Sequence, residues 1–146
     1  MITFLSDYAG FELQNRSNYK KWLNSVILHE GLTLGEINYI FCTDSALLEI
    51  NEEFLDHHDY TDIITFSLSD NANIIRGEIY ISIDRVKENS IINKVSFYKE
   101  LSRVLVHGVL HLVGFDDHTK QEKKIMRNKE NYYLDLLINY VPREIL

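Results

Sequence analysis

The stretch His107-Gly108-Val109-Leu110-His111-Leu112-Val113-Gly114-Phe115-Asp116-Asp117-His118 puts three imidazoles and two carboxylates into twelve residues that contain no Lys or Arg. On a helix, residues four apart share a face one turn above each other, so His107 and His111 can aim their ring nitrogens at one ion. Gly114 suits the left-handed residue that ends many helices. The chain can then turn back and bring in His118 or Asp117 as a third ligand. Three protein ligands leave a fourth position on zinc open to water, the arrangement of a catalytic site rather than a structural one. A lone histidine on an apolar helix is usually a core side chain satisfied by a carbonyl, and a pair at this spacing can arise by chance. The added Gly, Asp, Asp and His make the coincidence larger, and the stretch reads as a metal site.

Working outward, Ser96 can cap a helix that carries Phe97, Leu101, Val104, Leu105 and the histidines. Thr119 with Glu122 three residues on is a capping-box pair, opening a helix that runs through Ile125, Tyr132, Tyr133, Leu136 and Leu137 toward Pro142. The histidine stretch therefore lies at a helix-to-helix junction. Toward the N-terminus, Ile2 to Ser6 reads as a short strand, and Asn15 to Glu30 carries Trp22, Leu23, Val26 and Ile27 at helical spacing before Gly31. Ile37 to Cys42 reads as a strand, with Asp44 as the cap of the helix that follows. Asp62 to Leu68 and Glu78 to Ile83 read as adjacent antiparallel strands, and Asp84 as the cap of a short helix through Val86 and Lys87. These elements predict an α+β fold, a mixed four-stranded sheet packed with helices, with the metal site at the helix-to-helix junction.

The 146 residues are expected to form one domain, 1–146, large enough to bury a core without disulfides. Cys42, the lone cysteine, sits in an apolar run and reads as core filler in a reducing compartment. Met1 to Asp7 lacks a basic stretch followed by a long apolar run, and no segment approaches a membrane span, so a cytoplasmic protein with no membrane partner is expected. The net charge of −7 argues against non-specific adhesion to nucleic acid but leaves room for a local basic patch. Arg76, Arg85, Lys87, Lys94, Lys99 and Arg103 fall mid-chain, and Lys120, Lys123, Lys124, Arg127 and Lys129 follow the histidines. Most read as solvated faces, and those nearest the cluster could steer a polyanion toward it.

The spacing His, three residues, His, two residues, Gly resembles that of zinc peptidases, which carry Glu directly after the first His as general base. Gly108 stands there and has no proton-accepting side chain. Of the two third-ligand alternatives, His118 completes a nitrogen-rich set, leaving Asp116 or Asp117 to orient a ligand or accept a proton. The plain alternative for both aspartates is solvation of a loop. Glu100, two turns before His107 and about 10 Å along the axis, is too far to be a ligand but can border the active cleft. Imidazole ligands suit zinc, copper, nickel or iron.

These residues resemble the YbeY family of bacterial endoribonucleases. His107, Gly108, Leu110, His111, Leu112, Gly114, Phe115, Asp116 and His118 follow the family pattern H-G-x-L-H-L-x-G-[YF]-D-H, with one extra residue before the last His. Asn51, Phe54 and Thr61 to Phe66 are similar to the family's N-x-x-[YF] and T-[DN]-V-L-S-F segments, and Gly77, Glu78 and Ile79 to its G-D-I strand start. The resemblance implies a metal-dependent endoribonuclease acting on single-stranded RNA, in 3′-end maturation of small-subunit rRNA and ribosome quality control. It implies one zinc ion held by His107, His111 and His118, and association with the small ribosomal subunit, with a ribosomal protein or an assembly GTPase as a further candidate partner. Leu55 departs from the family, which usually has Arg there, so a phosphate-facing cation must come from elsewhere; His57, His58 and Arg76 are candidates.

Two further function classes stay open at this level. One is a metallohydrolase of peptides or amides with Asp117 or Glu100 as base. The other is a ribosome-assembly binding module whose metal is structural.

Overall fold

In the computed structural model, which describes residues 1–146, the chain forms four strands and five helices. Strand β1 (Ile2–Ser6) leads to α1 (Arg16–His29), β2 (Thr33–Cys42), α2 (Asp44–Leu55), β3 (Ile63–Ser67), β4 (Ile74–Ser82), α3 (Ile83–Ile92), α4 (Phe97–Val113) and α5 (Lys120–Leu137), with a final 3₁₀ turn at Arg143–Ile145. The sheet order is β1-β2-β4-β3. β1 and β4 run parallel to β2, and β3 runs antiparallel to β4, so the expected mixed four-stranded sheet is present.

Two strands start earlier than their composition suggests. β2 begins at Thr33 rather than Ile37, because Thr33 and Leu34 pair with Ile74 and Ile75 of an equally extended β4 across a register shift between Leu34 and Ile37. Local residue preference does not contain that long-range pairing. Two caps also move by one or two residues. Thr43, not Asp44, caps α2 by accepting from the Ala46 N–H at 3.1 Å, and Ser82, not Asp84, caps α3 by accepting from the Arg85 N–H at 3.1 Å. The two displaced aspartates join the helix starts instead: the Asp84 carboxylate accepts from the Asp44 N–H at 2.9 Å, and Asp44 accepts from Ser82 Oγ at 2.8 Å and Arg85 at 2.7 Å.

Most of the core lies between one face of the sheet and helices α1, α4 and α5. Ile37, Tyr39 and Phe41 of β2 and Ile79 and Ile81 of β4 meet Trp22, Leu23, Val26 and Ile27 of α1 and Leu101, Leu105 and Val109 of α4. Polar tips inside it are satisfied: Trp22 Nε1 donates to the Tyr133 carbonyl at 2.9 Å and Tyr39 OH to the Leu105 carbonyl at 2.7 Å. Helix α2 covers part of the opposite face through Leu47, packed with Cys42 and Ile64. Cys42 is buried there, and burial pushes its thiol up to about 11, which fits filler rather than nucleophile. No helix is long and apolar enough to cross a membrane.

Helix α4 is the central helix and lies directly on the sheet. A Cβ at Gly77 of β4 would stand 2.8 Å from Leu112, and one at Gly108 would stand 3.0 Å from Ile79 and 3.1 Å from Ile63. The close approach fixes which face of α4 is left to look outward, and that face carries the histidines.

Candidate metal centre

His107 and His111 lie on the last two turns of α4 and are half-buried. Their Nε2 atoms are 2.9 Å apart, with ring centroids 4.5 Å apart and planes at 82°, so both lone pairs converge on one point beside the helix. The helix ends at Gly114, whose φ of +121° is open to glycine and strained for other residues. The Phe115 N–H reaches back to the Leu110 carbonyl, and the chain turns across the end of α4. Along the next three residues exposure alternates, with Asp116 outward, Asp117 inward and His118 outward. Asp117 Oδ2 thereby lies 3.4 Å from His107 Nε2 and 3.5 Å from His111 Nε2.

The structure brings His107, His111 and Asp117 together as the group whose ligand atoms could hold one ion. His118, the third ligand favoured from the sequence, stands outside that group on the exposed rim of the same cleft. A tetrahedral zinc ion about 2.0–2.1 Å from each ligand atom holds those atoms roughly 3.3 Å apart. Here the edges of 2.9, 3.4 and 3.5 Å bracket that spacing, and two imidazoles with one carboxylate are a donor set for a divalent transition metal.

Behind the triangle, His107 Nδ1 is 2.6 Å from Oε2 of Glu130 on α5. A proton on Nδ1 shared with this carboxylate leaves Nε2 with its lone pair free toward the cleft, the usual arrangement behind a metal-binding imidazole. Glu130 is itself buried, and its Oε1 accepts from Arg103 Nη1 at 2.9 Å, while Arg103 Nη2 donates to Asn131 at 2.9 Å. Burial alone would raise the Glu130 pKa, but His107 and Arg103 hold it below the ordinary carboxylate value. Burial would likewise lower His107, and Glu130 overcomes it, leaving its pKa raised. His111 is lowered by burial and by the neighbouring His107.

A cleft of about 520 Å³ opens over the triangle, walled by Asn51, Leu55, His57 and the segment from Thr61 into β3 at Thr65 on one side and by Asp116, Asp117 and His118 on the other. The buried Asn51 donates to the Asp59 carbonyl at 2.9 Å and so ties the α2–β3 loop beside the histidines. Glu100 is buried one cavity further along α4, bonded to Asn93 at 2.9 Å; that adjoining cavity of about 320 Å³ also contains His107, Asp117 and Asp62 in its wall. Of the candidate cations in place of an arginine at Leu55, only His57 borders the cleft. His58 pairs with Glu52 and Asp56 on an exposed turn, and Arg76 lies outside both cavities.

Gly108 faces the sheet, not the cleft. The Cβ of a side chain there would press into Ile79 and Ile63. The general base of the zinc peptidases therefore has no counterpart at this position.

A model of the family described as Endoribonuclease YbeY matches residues 5–137. The chain belongs to the YbeY endoribonuclease family. A protein named Endoribonuclease YbeY from Cytophaga hutchinsonii is 46% identical over 135 residues, covering 92% of this chain and 94% of that protein. One of the same name from Flavobacterium psychrophilum is 49% identical over 136 residues, 93% and 96% of the two chains. A solution structure of a Thermotoga maritima protein superposes with a TM-score of 0.69 at 29% identity, covering 95% of this chain and 90% of that one. Two of the segments of this YbeY chain that carry the family resemblance, Asn51 to Phe66 and His107 to His118, supply the residues that line the cleft.

The sequence alone leaves Glu130 unassigned and places Arg103 only among the mid-chain cations. The signal was nonetheless there. The buried face of α5 is Met126, Glu130, Tyr133 and Leu137; of the apolar residues expected along this helix, Tyr133 and Leu137 are buried while Ile125, Tyr132 and Leu136 are exposed. A carboxylate four residues after Met126 and three before Tyr133 sits on an apolar stripe, where an acid needs a buried partner.

Proposed function

We propose that this protein is a metal-dependent endoribonuclease that cuts single-stranded RNA, acting on small-subunit rRNA near its 3′ end in the cytoplasm. The observation that carries the reading is the convergence of His107, His111 and Asp117 under a cleft built from the two family segments, with one imidazole fixed from behind by Glu130. Membership of a family named for endoribonuclease activity supplies the substrate class.

His107 and His111 would hold the ion through Nε2 and Asp117 through Oδ2, and zinc suits a set of this size and composition. A divalent cation bound there polarises a phosphoryl oxygen and lowers the pKa of a coordinated water. This chain's own residues would supply the rest. Asp116 has no hydrogen bond or ion pair and opens onto the cleft, which places it to take a proton from the attacking group. His118, on the same rim, stands where it can meet substrate. Glu100, held by Asn93 behind His107, would orient the inner wall rather than touch RNA. Leu55 and Ile63 give the opposite wall an apolar surface against which a base can lie.

The test is cleavage of a short single-stranded RNA by purified protein whose metal content has been measured. Cleavage that disappears on chelation and in His111→Ala, with matched loss of bound metal, is expected. Activity that survives both refutes the metal role. End-group analysis separates routes: a 2′,3′-cyclic phosphate reports attack by the RNA's own 2′-hydroxyl, and its absence reports attack by water. Ribosome association that survives in a metal-free variant without nuclease activity would favour the assembly-module reading.

A further inference from the structure

The cleft over the histidines has no lysine or arginine in its wall, while three aspartates, Asp62, Asp116 and Asp117, border it. An RNA strand brought there meets repulsion unless cations lie on its path. The nearest free ones are on α5, which starts immediately after His118. Lys120, Lys123, Lys124 and Arg127 are all exposed, and at 100° per residue they fall in one stripe about 100° wide. None of the three lysines has a carboxylate within ion-pairing distance. Arg127 has only a 3.6 Å contact to Glu130 Oε1, an oxygen already bonded to Arg103 at 2.9 Å. Residues 119–129 hold five of the fifteen Lys and Arg and one of the twenty-two acids, so this patch is strongly positive on an otherwise acidic surface.

The stripe is also continuous with the site. Its N-terminal end adjoins His118 on the cleft rim, and Arg127, two turns or about 10 Å on, borders the adjoining cavity that His107 and Asp117 share. Lys129, on the other flank of α5, is turned away to Glu30 at 3.0 Å.

Resting on the nuclease reading above, we propose that the α5 stripe Lys120, Lys123, Lys124 and Arg127 is the track for the phosphates of single-stranded RNA, with Arg127 placing one phosphate beside the metal centre. It supplies the cation that Leu55 does not. Contacts to phosphates carry no base preference and weaken with salt, with a slope of about 0.7 per contact for a single strand.

The test is fluorescence anisotropy of a labelled 2′-O-methyl oligouridine, which resists cleavage, titrated with the metal-loaded protein over a series of KCl concentrations. Lys120→Gln/Lys123→Gln/Lys124→Gln is expected to weaken binding about tenfold or more at low salt and to reduce the salt slope by about 2. Lys20→Gln/Lys21→Gln on α1, exposed and lining neither cavity, is the control and should stay within about twofold; circular dichroism confirms folding of both. An unchanged affinity and slope in the triple variant, or an equal loss in the α1 control, overturns the proposal. The two readings fail separately: RNA that is bound through α5 but never cut sinks the nuclease reading alone. RNA that is cut with unchanged KM and salt dependence in the triple variant sinks the α5 track alone.

Discussion

Nδ1 of His107 and Oε2 of Glu130 lie 2.6 Å apart although the residues are 23 positions apart, on helices α4 and α5. This contact decides which ring nitrogen faces the cleft. Removing the charge while keeping the shape should therefore loosen the imidazole without unfolding the chain. Glu130→Gln is expected to weaken metal affinity about 10–100-fold, measured by competition with a chromogenic chelator. Glu130→Ala should in addition lower thermal stability, because Arg103 then loses its main buried partner. A Gln variant with unaltered affinity would show that Glu130 serves packing alone.

Asp117 and His118 are neighbours in sequence with opposite exposure, and only Asp117 reaches the two imidazoles. Asp117→Asn should reduce metal stoichiometry in natively purified protein far more than His118→Ala does. Elemental analysis of both variants beside His107→Ala gives the ranking. Equal or greater metal loss in His118→Ala would mean that the turn after Gly114 rearranges to bring the imidazole in.

Gly108 marks the point where α4 touches the sheet. Gly108→Glu would drive a carboxylate against Ile79 and Ile63, with no cation or donor in that part of the core, and the expected cost is several kcal/mol, enough to abolish folding in a domain of ordinary stability. The denaturation midpoint reads this directly. A folded Gly108→Glu variant that gains peptidase activity would overturn the packing account of this glycine.

Glu30 closes a second network away from the site, accepting from Tyr133 OH and from Lys129 Nζ at 3.0 Å. Burial pushes its pKa up, but these two donors outweigh burial and hold it below the ordinary value of 4.5. A carboxylate depressed by folding stabilises the protein above its unfolded pKa, and that stability is lost as pH falls through the folded value. Wild-type stability should therefore drop as pH falls below about 4.5, and Glu30→Gln should be about 1 kcal/mol less stable at pH 7 with a shallower loss on the acid side. Thermal melts from pH 7 to pH 3 check both; parallel curves for the two proteins would remove Glu30 from the acid response.

The local chemistry of this chain is legible in its sequence. Histidines four apart, the helix-ending Gly114 and the Thr119–Glu122 capping box are short-range features, fixed by helical geometry and by what a single backbone position tolerates, so the sequence alone determined α4, its end and the start of α5. The four-stranded sheet followed from alternation and spacing for similar reasons. Only the tertiary structure decided which residues meet across the chain. The early start of β2 depends on pairing with β4, the phase of α5 on what Met126 and Glu130 pack against, and the choice between Asp117 and His118 on the direction of a turn one residue long. Gly108 belongs to the same class: an absent side chain has no local meaning until Ile79 of the sheet is in place, 3.0 Å from where a Cβ would stand. Periodicity and capping act within about a turn of chain, whereas ligand geometry is set by helices brought together from distant positions by burial of their apolar faces.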